Sequence, residues 1–120
     1  MNKQILLIDD DEAVIKLLGS FLVSKGFKVE TAMDGLEGLE KLRASTPSLI
    51  VLDVMMPRMD GYGFLREIKK DLKYRNIPTV VLTAREMMRD TFVQEGVTEY
   101  VVKPYDPEEL LKAILKHLQP

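Results

Sequence analysis

The 120-residue chain has no cysteine, no tryptophan and a single histidine, His117. Without thiols there is no disulfide framework, no thiolate nucleophile and no cysteine-built zinc site, and one imidazole excludes multi-histidine metal ligation. Long hydrophobic runs are missing too. The first apolar stretch, residues 5–8, is too short for the hydrophobic region of a signal peptide, and no run approaches the roughly 20 residues of a membrane span. A soluble cytoplasmic protein that does not engage membranes is the expectation. Charge of one sign is also lacking: 17 Lys and Arg face 19 Asp and Glu, for a formal net charge of −2, so no basic field argues for nucleic-acid binding. What is present, 46% hydrophobic and 30% charged residues, is an ordinary globular composition, and the length suits one domain over 1–120 with its own core.

Short apolar runs alternate with longer stretches of helical period, the pattern of a parallel sheet wrapped by helices. Strands are expected at about 4–8, 28–31, 49–52, 79–82 and 99–102. The 49–52 run is apolar throughout and reads as central, whereas 28–31 is mixed and reads as an edge. The first helix carries Val14, Leu17, Leu18, Phe21 and Leu22 as its core stripe and stops at Gly26. Asp34 and Glu37 resemble a capping box for a helix through about Arg43, with Leu36, Leu39 and Leu42 inward. A third helix follows Asp60-Gly61 and bears Leu65, Ile68 and Leu72, and a fourth is expected over about 86–94. The last opens with Asp106 as cap, Pro107 at the first helical position and Glu109 reaching back, with Leu111, Ile114, Leu115 and Leu118 buried.

Four of the apolar runs end at chemically capable residues: Asp9 and Asp10, Asp53, Thr83, and Lys103. Right-handed crossovers and the apolar character of runs one and three favour sheet order 2-1-3-4-5, which puts a switch point between strands one and three and brings Asp9, Asp10 and Asp53 to one crevice. Carboxylates so close repel one another and are tolerated mainly around a cation; magnesium, which prefers oxygen ligands and keeps waters and phosphate oxygens, is the natural candidate. One carboxylate could then attack phosphorus, Lys103 would supply a second positive charge, and the Thr83 hydroxyl could donate to a phosphoryl oxygen. Asp11 reads as the cap of the first helix, and His117 as a solvent-facing partner of the last helix dipole.

The runs Ile5-Leu6-Leu7-Ile8-Asp9-Asp10, Leu52-Asp53-Val54-Met55-Met56-Pro57-Arg58-Met59-Asp60-Gly61, Thr83-Ala84 and Tyr100-Val101-Val102-Lys103-Pro104 together resemble the receiver domain of bacterial two-component response regulators, over essentially the whole chain. That resemblance implies an α/β, flavodoxin-like (βα)5 three-layer sandwich. It implies that Asp53 accepts a phosphoryl group from a sensor histidine kinase or phosphotransfer protein, and that Asp9, Asp10, Asp53 and the Met55 backbone carbonyl hold Mg²⁺. It further implies Thr83 and Lys103 on the phosphoryl oxygens, Tyr100 as an aromatic switch and a cis Lys103-Pro104 bond. The implied partners are a downstream effector or output domain, reached as a monomer or a phosphorylation-dependent dimer, by a domain whose only chemistry is its own phosphorylation and slow dephosphorylation. From Thr83 to Gly96 the chain runs a residue or two shorter than the family pattern. Rival readings are a phosphorylation-independent adaptor, a phosphatase working through an aspartyl intermediate, which lacks a second carboxylate at Met55, and a flavin binder, which lacks a glycine- or hydroxyl-rich first loop.

Overall fold

The computed structural model describes residues 3–53, 61–83 and 98–118, leaving aside the side chains of 61, 62 and 83. Five parallel strands, β1 (Gln4–Ile8), β2 (Lys28–Ala32), β3 (Leu49–Asp53), β4 (Thr79–Thr83) and β5 (Glu99–Val102), lie in the order β2-β1-β3-β4-β5. The helices described are α1 (Glu12–Ser24), α2 (Gly35–Ala44), α3 (Gly61–Lys70) and α4 (Pro107–His117). The helix expected over 86–94 lies outside the described residues. Every residue of β3 is buried, because helices cover both faces of the sheet's centre. One core layer gathers Leu6, Ile8, Ile50, Leu52 and Val81 against Leu39 and Leu42 of α2 and Phe64, Leu65 and Ile68 of α3. The other gathers Ile5, Leu7, Val51, Val80 and Leu82 against Leu18 and Leu22 of α1 and Leu110 and Ile114 of α4.

The caps explain where helices start. The Asp11 side chain accepts hydrogen bonds from the N–H groups of Ala13 and Val14, and Asp34 accepts one from Glu37 at 2.8 Å while Glu37 Oε1 reaches back to the Met33 N–H at 2.7 Å. Asp106 precedes α4 without a side-chain cap bond; its backbone carbonyl accepts from Glu109 instead.

Four inward assignments from periodicity are corrected. Leu17, Leu36, Leu72 and Leu115 are 67%, 40%, 74% and 45% exposed. On α4 the buried face is Leu110, Ala113 and Ile114, turned about one residue from the expected stripe. Leu72 lies past the end of α3, where the buried neighbours are Tyr74 and Ile77. His117 is also corrected: its Nε2 lies 2.8 Å from Glu99 Oε2 on β5, and its side chain is only 20% exposed.

Candidate functional site

Strand register assembles the site. Ile8 pairs with Leu52, so Asp9 and Asp53 follow at the same level on adjacent strands, while Asp53 itself pairs with Leu82. Thr83 pairs with Val102 one step further along, and Lys103 stands just beyond. These residues therefore share the carboxyl edge of the sheet at the switch point between β1 and β3, where open α/β folds place their ligands.

Carboxylate oxygens of Asp9, Asp10 and Asp53 all lie within 4.8 Å of one another. Asp9 and Asp53 are buried and Asp10 is exposed, so the cluster is rooted in the core and open to solvent on one side. Lys103 Nζ approaches Asp53 Oδ2 at 3.4 Å, a cation facing the third carboxylate. Asp9 Oδ1 accepts the Asp11 N–H at 2.9 Å, but Asp9 Oδ2 is buried and has no hydrogen-bond partner among the described residues. A buried anionic oxygen left without a donor is costly; a hard cation bound by these oxygens would satisfy it. The donor set of carboxylates, with solvent on one side, fits magnesium.

The energetics of Asp9 reflect that gap. Burial pushes its carboxyl up to about 6, with the charge of Asp53 and its side-chain contact adding to the rise, while the Asp11 N–H and the charge of Lys103 oppose it. A divalent cation would reverse the balance by stabilising the ionised form.

Tyr100 lies on β5, paired with Val81 and packed, partly buried, against the core layer under α2 and α3; it is outside the carboxylate cluster. The Lys103-Pro104 bond is cis. Met55 and the side chain of Thr83 lie outside the described residues. One residue beside the cleft escaped the sequence reading: burial, with the charges of Asp9 and then Asp53, pushes the Tyr105 phenol up to about 12. An aromatic two positions after the lysine was its only signal in the sequence.

Residues 5–115 match the response regulator receiver domain family. Over 116 residues the chain is 43% identical to Hybrid signal transduction histidine kinase D of Dictyostelium discoideum, covering 95% of this chain and 8% of that protein. It is 38% identical over 117 residues to Response regulator Rre1 of Synechocystis, covering 95% of this chain and 50% of that protein. The chain thus spans half or less of the length of these two relatives. Among solved structures, the receiver domain of a sensor histidine kinase from Pseudomonas aeruginosa PAO1, with a magnesium ion coordinated in its active site cleft, matches with a TM-score of 0.89 and 27% identity over 98% of each chain.

Proposed function

The chain belongs to the response regulator receiver domain family of two-component signalling, and on that premise we propose that Asp53 is its phosphoacceptor, charged by a sensor histidine kinase or a phosphotransfer protein. The observation that carries this reading is the meeting of the Asp9, Asp10 and Asp53 carboxylates within 4.8 Å with Lys103 Nζ 3.4 Å from Asp53. In the proposed step an Asp53 oxygen attacks phosphorus while the bond to the donor's imidazole nitrogen breaks and that nitrogen keeps the electron pair. Asp9 and Asp10, with Asp53 and the Met55 carbonyl, would hold Mg²⁺; when bound, the ion neutralises charge on the transferring group. Lys103 neutralises charge from a second side. Transfer of this kind asks the protein mainly for positioning and electrostatic stabilisation, which a compact site supplies.

The Thr83 hydroxyl then donates to a phosphoryl oxygen that exists only after transfer, and Tyr100 turns inward as Thr83 moves. The face built by the helix expected over about 86–94, β5 and α4 is thereby biased toward one of two states and read by an effector or output domain, as a monomer or a phosphorylation-dependent dimer. A few kcal/mol of preference suffices to make a minor state dominant. The domain, proposed to span 1–120, signals and does not turn over substrate beyond its own phosphorylation and slow dephosphorylation. Incubation with acetyl phosphate and Mg²⁺ is expected to add one phosphoryl group, seen by intact mass, and to add none in Asp53→Asn or without Mg²⁺. Phosphorylation that persists in Asp53→Asn overturns the assignment.

A further inference from the structure

Lys103 must deliver its ammonium to Asp53 from a connection with little structure of its own. Residues 103–106 link β5 to α4, and Asp106 makes no side-chain cap bond to the helix that follows. Pro104 and Asp106 are exposed. Tyr105 differs: its ring packs against the core layer that β1, β3 and β4 share with α1 and α4. A lysine carries its charge on a flexible four-carbon stem, so the place of Nζ depends on how firmly its backbone is held. Only Pro104 separates that backbone from the anchored ring of Tyr105.

We propose that Tyr105 is a positioning residue for phosphoryl transfer, its core-seated ring pinning the β5–α4 connection so that Lys103 Nζ stays beside Asp53. The electrostatics are consistent with this seat: burial, and then the charges of Asp9 and Asp53, hold the phenol protonated. Misplacement of a reacting or stabilising group by about 1 Å can cost on the order of a hundredfold in rate, so loss of the pin acts through Lys103 and not through direct contact with phosphorus.

This inference rests on Asp53 being the acceptor, and a double-mutant cycle separates the two claims. The rate of phosphorylation by acetyl phosphate with Mg²⁺ is measured for the full chain, Tyr105→Ala, Lys103→Met and the double variant, with thermal unfolding followed in parallel. Tyr105→Ala is expected to slow the unaltered chain by roughly tenfold or more and to leave the residual rate of Lys103→Met unchanged within about twofold, while lowering the melting temperature in both backgrounds. Tyr105→Phe, which keeps the ring, is expected to rescue the rate. Tyr105→Leu keeps apolar bulk and takes the place of the alanine variant in the cycle if that one does not fold. Equal slowing in both backgrounds, or a phenylalanine variant as slow as the alanine one, overturns the proposal. Failure of the unaltered chain to become phosphorylated instead overturns the assignment of Asp53.

Discussion

Asp9 is 1% exposed, and its carboxyl is pushed from 3.8 up to about 6, chiefly by burial. Between those values the native protein holds a proton that the unfolded chain has released, so stability falls as pH rises through the window and the full cost persists above it. Asp9→Asn is therefore expected to stabilise the metal-free protein by up to about 3 kcal/mol at pH 7, a gain that shrinks toward zero by pH 4; urea unfolding in EDTA at the two pH values checks both. The same change is expected to weaken Mg²⁺ binding. At this scale the sequence was informative where a polar residue ended an apolar run, as at Asp9, Asp53 and Lys103. It was silent on Tyr105 and misleading on His117, because the Glu99–His117 contact at 2.8 Å joins residues that no local pattern relates.

Helix faces depend on what each helix meets. Periodicity placed Leu18, Leu22, Leu39, Leu42 and Ile68 correctly in the core, since apolar residues at helical spacing lie on one side. It could not choose between neighbours about 100° apart, and so Leu17, Leu36 and Leu115 were assigned inward although the sheet contacts an adjacent strip. Gly38 shows the opposite failure, a residue without hydrophobic signal at a tight helix–sheet approach. A Cβ built there meets Ile8 Cδ1 at 2.7 Å and Phe64 Cε1 at 3.1 Å, and both partners are fully buried. Overpacking of this kind costs about 1–3 kcal/mol, against about 1 kcal/mol gained from alanine's helix propensity. Gly38→Ala is accordingly expected to destabilise by up to about 2 kcal/mol. Gly19 on α1 meets nothing within 4 Å, so Gly19→Ala is expected to stabilise by about 0.5–1 kcal/mol. Denaturant midpoints of the two variants should move in opposite directions.

For the whole molecule the consequence is linkage between ion binding and folding. An ion that binds the assembled carboxylates and not the unfolded chain stabilises the native state by RT ln(1 + [L]/Kd), about 2.7 kcal/mol at a hundredfold excess over Kd. Mg²⁺ is thus expected to raise the melting temperature near neutral pH and EDTA to abolish the rise, with the effect much reduced in Asp53→Asn; differential scanning calorimetry measures all three. No helix among the described residues is long and apolar enough to cross a membrane, in keeping with the absence of long apolar runs. Alternating apolar runs and helical stretches were enough to determine a parallel α/β sheet in the order β2-β1-β3-β4-β5, because strand burial and crossover handedness are constraints that local composition already expresses. Tertiary structure alone decided which helix strips are buried, that Gly38 lies under close contact, that Tyr105 packs against the core and that His117 meets Glu99. Those outcomes depend on distances between segments far apart in the chain, and such distances exist only once the layers have packed.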